Sequence, residues 1–524
     1  MLGRRTGVVV TLFTLLAIGL PVTASPSTAA PSSSDVSWSR CYISMGPFQC
    51  GTVQVPLDYD HPEGPSIGIA LVRLRATDPA HRIGSLFLNP GGPGGSGVDF
   101  TLFAGPHLFT DEVRARFDLV GFDPRGIARS TALRCFGEPR QWEPYFTPFA
   151  FPLTPEEEEA WRLADLYLVD ACAQRGGRII DHMSTANVAR DLDELRRAVG
   201  DEKLTYYGVS YGSFLGQTYA NMFPDRFRAL VIDGVLDPVA WVNQGGSVPF
   251  STRLRSDAGA MATLNEFFRL CDAGGEACAF APDSAERYAA IADRLRNGGP
   301  VTITLPDGSS VELNYSLLIG ETLGGLYDSL SWEDMDDVLA LVESQVLGTA
   351  SSATLPRHLD MSPWRPAYIT KRGFPRYPNL VEGFPAVACA DSDNPASYSV
   401  WSSEATAADQ QFGYFGPLWT WVSSICAEWT GADADRYMGP FDRDTSSPVL
   451  IVGNLFDPAT RYEGAVTAHG LLANSALLTL HGWGHTSIFL STCVDTAIAR
   501  YLVDVQTPAA GTVCEQDHMP FSGG

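Results

Sequence analysis

The sequence predicts an α/β protein with a mostly parallel central sheet, helices on both faces, and a large, mainly helical cap domain inserted before the last strands. Three observations support this fold class. Short β-rich runs alternate with helical stretches from about residue 67, the alternation stops between residues 238 and 447, and it then resumes. Strands separated by helices are typical of parallel sheets, and a chain that leaves its sheet and returns contains an insertion.

The alternation rests on short runs rich in β-branched and aromatic residues. They are residues 67–74, 85–89, 117–122, 204–209, 230–235, 449–454 and 476–480. Between the third and fourth runs the pattern is helical, first around EEEEAWRLADLYLVDACA and then around ANVARDLDELRRAVG. Thr185 or Asn187 is the expected N-cap of the second helix, which should end at Gly200.

The interruption defines the expected domain boundaries. Residues 36–237 form the first part of the α/β core, residues 238–447 form the cap, and residues 448–515 form the last part of the core. Within the cap, VTITLPDGSSVEL at 301–313 predicts a hairpin. We expect the cap to lie over the carboxyl ends of the strands, where open α/β sheets bind their ligands.

The first thirty residues predict a signal peptide and leader rather than part of the fold. Arg4 and Arg5 form a positive start, residues 8–20 are apolar, and small residues predict cleavage near 24–30. No second stretch is long and apolar enough to span a membrane. We therefore expect a secreted, extracellular protein without stable membrane insertion.

The cysteine count agrees with export. Ten cysteines are present, an even number, and none of them forms a C-x-x-C pair. In an oxidising compartment the simplest expectation is five disulfides between sequence neighbours. The expected pairs are 41–50, 135–172, 271–278, 389–426 and 493–514, and the alternative is a set of free buried thiols.

The charge balance excludes some partners. The formal net charge is −24 at pH 7, which argues against nucleic acid and against anionic membrane surfaces. An acidic, solvated surface is the simplest interpretation. The oligomeric state does not follow from the sequence, although a monomer is favoured.

Ser210 is the predicted nucleophile. Two stretches match G-x-S-x-G, and their contexts separate them. Residues 64–68 lead into a strand, so we interpret them as a turn. Residues 208–212 follow the β-rich run LTYYGV and precede the helical run SFLGQTYANMF, which is the context of the nucleophile elbow in the α/β-hydrolase fold. The alternative is an ordinary turn serine.

Asp457 and His485 are the predicted acid and base. A serine hydroxyl needs a base to take its proton, and that base needs an orienting acid. In this fold the chain order is serine, acid, histidine, and the last two follow late strands. Asp457 follows VLIVGN, and His485 follows ALLTL. His481 is an alternative base, whereas Asp442 and Asp444 precede their strand and should lie at the wrong edge of the sheet.

The glycine-rich loop after the strand SLFLN is the predicted oxyanion loop. It reads NPGGPGGSG, and its prolines have no N–H, so glycine amides are the expected donors. We expect the amides of Gly92 and Tyr211 to hold the oxyanion, the alternative being a plain flexible loop.

In a further loop, Asp123 and Arg125 predict a buried ion pair with a scaffolding role. The spacing of His481 and His485 does not indicate a metal pair, because no acidic third ligand accompanies it.

Together these stretches resemble a known family. NPGGPGGSG, GFDPRGIARS, YYGVSYGS, NLFDPAT and GWGHTS are similar to stretches of the secreted tripeptidyl aminopeptidases of actinomycetes and their mycobacterial serine-hydrolase relatives, a group close to the prolyl iminopeptidases. The resemblance covers most of the chain. It implies that Ser210, Asp457 and His485 form a catalytic triad and that Thr460 supports the acid loop. Ala128 departs from the family pattern, which usually has glycine there.

The resemblance also implies an activity: release of short peptides, typically tripeptides, from free N-termini, without a metal or organic cofactor. An exopeptidase must bind the α-ammonium of its substrate, and carboxylates in or under the cap are the candidates. They are Glu321, Asp328, Asp391 and Glu428. The rival hypotheses are an esterase or lipase-like hydrolase with the same triad, and a catalytically inert binding protein of the cell envelope.

Overall fold

The computed structural model describes residues 36–243, 245–305, 308–348, 377 and 379–522. The predicted signal peptide and leader, residues 1–30 with their cleavage site near 24–30, lie outside the described residues. Within the described part of the chain, none of the helices combines the length and the apolar character that crossing a membrane requires.

A single large sheet organises the molecule and confirms the predicted fold class. Its ten strands have the order β1-β2-β3-β5-β4-β6-β7-β10-β11-β12. The first three strands and β5 pair antiparallel, and every pairing from β5 through to β12 is parallel. The sheet strands are β1 Ser39–Arg40, β2 Phe48–Pro56, β3 Ser66–Leu74, β4 Gly84–Asn89, β5 Phe117–Phe122, β6 Leu204–Val209, β7 Phe227–Asp233, β10 Val449–Phe456, β11 Ser475–Trp483 and β12 Val513–Glu515, while β8 Val301–Thr304 and β9 Ser310–Leu313 form a separate hairpin.

Helices connect these strands. The helices are α1 Gly97–Phe103, α2 Asp111–Arg116, α3 Pro155–Arg175, α4 Thr185–Ala198, α5 Tyr211–Met222, α6 Pro238–Val242, α7 Phe250–Leu254, α8 Ser256–Gly274, α9 Ser284–Gly298, α10 Tyr315–Leu326, α11 Trp332–Leu347, α12 Leu380–Asp391, α13 Tyr398–Phe412, α14 Phe415–Trp421, α15 Tyr462–Leu471 and α16 Thr492–Asp504. The N-cap of α4 is Ser184, whose hydroxyl accepts from the Asn187 N–H. The predicted caps, Thr185 and Asn187, lie one and three residues further along the chain, inside the helix.

Helices cover both faces of the sheet. In β6, Tyr206 packs into the core with α4 and α5, whereas its neighbour Tyr207 packs into the core with α1 and α16. Consecutive side chains of a strand point to opposite faces, so a strand buried on both faces is apolar throughout. Every residue of β4, β5 and β6 is buried accordingly.

The chain between β7 and β10 leaves the sheet and has a core of its own. Helices α8 to α11, α13 and α14 contribute to that core, in which Trp332, Trp401 and Trp421 are almost completely buried. The hairpin expected at 301–313 is present as β8 and β9, which pair antiparallel.

All five expected disulfides are formed with the expected pairing. They are Cys41–Cys50, Cys135–Cys172, Cys271–Cys278, Cys389–Cys426 and Cys493–Cys514. The bond between Cys389 and Cys426 joins the end of α12 to the short 3-10 helix Ser424–Ala427, and thereby fixes two segments of the insertion to each other.

The prediction of an ion pair between Asp123 and Arg125 is wrong. Both residues are fully buried, but Arg125 binds Asp191 of α4 with both arms of its guanidinium, at 2.6 and 2.7 Å. Asp123 instead accepts from the Ser96 hydroxyl and the Arg129 N–H. The same loop holds Ala128 at φ 46°, a left-handed conformation that glycine adopts without strain.

Candidate active site

Ser210 occupies a sharp turn between β6 and α5. Its backbone has φ 57° and ψ −128°, and its N–H donates to the carbonyl oxygen of Asp233 at 2.9 Å. The turn requires glycine on both sides: a Cβ at Gly208 would lie 2.4 Å from the Gly212 carbonyl oxygen, and one at Gly212 would lie 2.7 Å from that of Asn89. A strained residue at a helix N-terminus, held by its neighbours, is the geometry of a nucleophile elbow.

Asp457 follows β10 directly and is almost completely buried. Its carboxylate accepts from the N–H groups of Ala459, Thr460 and Thr486 and from the Thr460 hydroxyl, at 2.8–3.0 Å. Burial raises the pKa of Asp457, but the nearby His485 and these hydrogen bonds outweigh it, so the pKa of Asp457 lies below its ordinary value. The side chain is therefore an ionised acceptor at neutral pH.

His485 follows β11 and faces Asp457. Its Nδ1 lies 2.9 and 3.0 Å from the two carboxylate oxygens, and its side chain is 13% exposed. Burial lowers the pKa of His485, but the carboxylates of Asp457 and Asp233 raise it, and the net shift is upward. Because Nδ1 is engaged by Asp457, Nε2 is the nitrogen left to accept a proton.

Contacts from two other elements fix the histidine loop. The Tyr327 carbonyl oxygen, at the end of α10, accepts from the His485 N–H at 2.8 Å, and the two rings lie 4.9 Å apart. From β10, the Asn454 amide donates to the carbonyl oxygens of Gly484 and Thr486, on either side of the histidine. Asp457 and the Tyr327 ring therefore position the imidazole, and Tyr327 and Asn454 position the main chain around it.

Asp233, at the end of β7, connects the serine turn to the histidine loop. While its carbonyl oxygen accepts from Ser210, its carboxylate accepts from the N–H and hydroxyl of Ser487 and from the Tyr207 hydroxyl. Sequence reasoning missed this residue, although its position at the carboxyl end of a buried β-rich run was visible. Through Asp233 the structure brings the turn of Ser210 to the same edge of the sheet as Asp457 and His485.

The alternative acids and base lie elsewhere. Asp442 and Asp444 are exposed and precede β10, at the opposite end of the strand from Asp457. His481 lies within β11, is 42% exposed and pairs with Glu515 of β12 at 2.9 Å. It is therefore engaged by the last strand of the sheet and not by Asp457.

The glycine-rich loop packs directly on the serine turn. A Cβ at Gly91 would lie 2.6 Å from the Val209 carbonyl oxygen and 2.9 Å from Ser210 Cβ. The N–H of Gly91 donates to the Asn89 side chain at 2.9 Å, so it is already engaged. Among the described residues nothing accepts from the N–H of Gly92, and that of Tyr211 belongs to the first turn of α5, where amides have no partner within the helix.

The four carboxylates expected to bind an α-ammonium have different surroundings. Asp328 is exposed and caps the turn that follows it, and Glu428 is exposed. Asp391 is buried, and its oxygens accept from the N–H and hydroxyl of Thr185 and from the Trp241 indole. Glu321, on α10, is half-buried without a hydrogen-bond donor or cation among the described residues, and burial raises its pKa to about 7.

Comparisons with known proteins place the chain among the α/β-hydrolases. Residues 84–249 match a family model described as "alpha/beta hydrolase fold", and residues 410–514 match one described as "TAP-like protein". The chain is 32% identical to "Serine protease Hip1" of Mycobacterium tuberculosis over 91% of each chain. It is 31% identical to "Carboxylesterase B" of the same species over 96% of each chain, and 28% identical to "Tripeptidyl aminopeptidase" of Streptomyces lividans over 95% of this chain and 90% of that one.

Proposed function

Because the chain belongs to the TAP-like family of α/β-hydrolases and is therefore a serine hydrolase of the peptidase type, we propose that it is a secreted exopeptidase that releases tripeptides from free N-termini. The observation that carries the general chemistry is the contact of His485 with Asp457 beside the strained turn of Ser210. The observation that carries the exopeptidase specificity is the unpartnered carboxylate of Glu321 on the helix that also contacts His485.

The proposed reaction has two acyl-transfer steps. His485 Nε2 takes the proton of the Ser210 hydroxyl while the serine oxygen attacks the carbonyl carbon of the scissile peptide bond. The amine leaves with the proton that His485 returns, and an ester joins the released peptide to Ser210. Water then attacks this ester, again with His485 as base, and frees the peptide acid. Asp457 keeps the imidazole oriented and stabilises its protonated form.

The oxyanion would be held by two main-chain amides. The N–H of Tyr211 follows the nucleophile at the positive end of α5, and the N–H of Gly92 lies in the loop packed on Ser210. Both amides are without an acceptor among the described residues, which supports their availability. No metal or organic cofactor enters this reaction.

Glu321 is the proposed partner of the substrate's α-ammonium. From Glu321 to Tyr327, which contacts His485, α10 advances six residues, a rise of about 9 Å. An extended tripeptide spans about 10 Å. Glu321 therefore stands about one extended tripeptide along the helix from the residue that contacts His485, which is the spacing that the proposal requires. Binding an ammonium would also lower the pKa of Glu321 and complete its ionisation at neutral pH.

The remaining elements of the proposal concern the compartment and the partners. Five disulfides support an oxidising, extracellular location. The expected partners are peptides with a free N-terminus, which are the substrates. The enzyme itself is expected to be a monomer. A second candidate function is ester hydrolysis, which the relative named as a carboxylesterase favours and which the same triad performs.

The test compares substrates that differ only at the N-terminus. A free tripeptide arylamide is assayed beside its N-acetylated twin, the dipeptide and single-residue analogues, and a simple aryl ester. Exclusive turnover of the free tripeptide supports the proposal. Equal turnover of the acetylated compound, or turnover of the ester alone, rejects the tripeptidyl specificity and leaves the hydrolase assignment standing.

A further inference from the structure

An apolar pocket of about 310 Å³ is lined in part by α12, the helix that contacts the oxyanion loop. It is bordered by α3, α12 and α14 and by the 3-10 helix that follows α14. None of its lining residues carries a charge, and its walls include Trp161, Val381, Phe384, Leu418, Val422 and Ile425. We call it the apolar pocket.

One end of the apolar pocket adjoins the oxyanion loop. A Cβ at Gly94 would lie 3.0 Å from the carbonyl carbon of Gly383 and 3.1 Å from the nitrogen of Phe384, so the loop and α12 are in direct backbone contact. Gly94 stands two residues after Gly92. Phe384, which lines the pocket, therefore contacts the oxyanion loop only two residues away from the candidate oxyanion donor.

The other end adjoins the helix of Glu321. Ala150, which lines the pocket, donates its N–H to the Ser316 hydroxyl at 3.1 Å. A Cβ at Gly320 would lie 3.1 Å from the Ala150 Cβ. Gly320 and Ser316 belong to α10, so the pocket reaches from the oxyanion loop to the helix that carries Glu321.

Hydrogen bonds and a disulfide fix the walls of the pocket. The Trp161 indole donates to the Ser424 hydroxyl at 2.8 Å, and that hydroxyl donates to the buried Asp165 at 2.6 Å. The disulfide Cys389–Cys426 joins α12 to the segment that carries Ile425. A pocket whose walls are already positioned does not need to order itself on binding, which favours affinity.

We propose that the apolar pocket binds an apolar side chain of the released peptide, on the acyl side of the scissile bond. This inference rests on the proposed exopeptidase function. The side follows from the chemistry: His485 must return a proton to the leaving amine, so the leaving chain lies beside the imidazole. The pocket instead lies between the oxyanion loop and α10, and in the proposed binding mode the acyl chain runs from its carbonyl at that loop to its N-terminus at Glu321 of that helix.

The lining predicts a defined selectivity. A charged side chain would lose its hydration in the pocket without meeting a partner, whereas an apolar one is transferred out of water. We expect tripeptides with leucine at the position that enters the pocket to exceed their lysine analogues in kcat/KM by roughly 10- to 100-fold. The substrate class is therefore peptides with apolar residues near the N-terminus.

The test places a carboxylate at the rim of the pocket. Val422→Asp is compared with Val466→Asp, a matched control on the outer side of α15; the two valines are 37% and 45% exposed. Both variants and the parent enzyme are assayed with free tripeptide arylamides that carry leucine or lysine at the first, second or third position. A second series of tetrapeptides varies the fourth residue, which leaves with the amine.

In Val422→Asp we expect the leucine-to-lysine ratio of kcat/KM to fall by about tenfold or more at one of the first three positions, because the new carboxylate pairs with lysine. The control should keep the parent ratio. An unchanged ratio in Val422→Asp, or a change confined to the fourth residue, overturns the inference and leaves the exopeptidase proposal intact. Equal cleavage of N-acetylated substrates would instead remove the exopeptidase proposal, while the ratio still reports on the pocket.

Discussion

The Asp233 carbonyl oxygen accepts the main-chain N–H of Ser210 at 2.9 Å, while the carboxylate of the same residue holds Ser487, two residues beyond His485. One buried residue thus positions both the candidate nucleophile and the candidate base. Its carboxylate also faces the Tyr207 hydroxyl, and its charge raises the pKa of His485. Asp233 therefore links the two loops within the α/β core, and Tyr327 adds a contact to the histidine loop from the insertion.

Asp233→Asn tests that relationship. Asparagine keeps an acceptor for Ser487 but removes the charge, so we expect a loss of about tenfold in kcat/KM and a shift of the acid limb of its pH profile to lower pH. The shift follows because a negative charge that raises the pKa of His485 is gone. The control is Asp495→Asn, a half-buried carboxylate on α16 that should leave the limb in place. An unmoved limb in Asp233→Asn would mean that the residue acts only as a structural support.

Ser210→Ala tests the nucleophile against an internal control. We expect turnover to fall by about 10⁴-fold or more while the thermal unfolding temperature stays within a few degrees of the parent, because only one partly buried hydroxyl is lost. Ser66→Ala is the matched control, since Ser66 stands in the other G-x-S-x-G stretch and is exposed at the start of β3. Labelling by an active-site-directed phosphonate should disappear only in Ser210→Ala. Labelling that persists there refutes the assignment.

The pH dependence of activity should reflect the upward-shifted pKa of His485. The base works only when neutral, so kcat/KM should decrease as pH falls through a pKa above the ordinary histidine value. In Asp457→Asn the acid limb should move to lower pH, because the main charge that raises this pKa is removed, and activity should fall by about 10⁴-fold. His481→Asn should keep both the limb and the activity. Loss of activity in His481→Asn alone would transfer the role of base to that residue.

Much of the fold was predictable because it depends on local patterns and chain order. Apolar runs gave the buried strands, and pairing of neighbouring cysteines gave the disulfides. Contacts between distant positions were not predictable. Arg125 pairs with Asp191, 66 residues away, rather than with nearby Asp123, and the carboxylate of Asp233 meets Ser487, 254 residues further on. Neither partner leaves a local signal.

The same limit applies to the candidate site. Strand ends and the glycine-rich elbow indicated where a nucleophile, an acid and a base belong, because parallel strands place their carboxyl ends at one edge. The four cap carboxylates could not be ranked in that way. Burial and partners distinguish them: Asp391 is engaged by Thr185, whereas Glu321 is half-buried and unpartnered in the described part of the chain.

Glu321→Gln should separate recognition of the N-terminus from chemistry. Glutamine has nearly the same shape but no charge, so we expect KM for free tripeptide arylamides to rise by roughly 10- to 100-fold with little change in kcat. Hydrolysis of a simple aryl ester should be unaffected. Asp328→Asn, an exposed carboxylate that follows α10 closely in the chain, is the matched control and should leave KM near the parent value. An equal rise in KM for both variants would point to a general loss of negative charge instead of a specific site.

Asp165→Asn should make the stability of the protein less dependent on pH. Asp165 is buried on α3, accepts from Ser424 and Tyr398, and burial raises its pKa to about 7. A carboxyl whose pKa is raised in the folded state binds its proton more tightly there than in the unfolded chain, so stability falls as pH rises from about 4 to about 7. The contribution is on the order of 1–4 kcal/mol at pH 8.

Asparagine carries no charge and can still accept from Ser424 and Tyr398, so the variant should gain free energy of unfolding relative to the parent as pH rises across that window. Urea denaturation with the disulfides intact, at pH 4.5 and at pH 8, measures this difference. Asp170→Asn, an exposed carboxylate on the same helix, should show the parent's pH dependence. If Asp165→Asn also keeps it, the carboxyl is ionised throughout the range, and its hydrogen bonds, rather than a bound proton, support the wall of the apolar pocket.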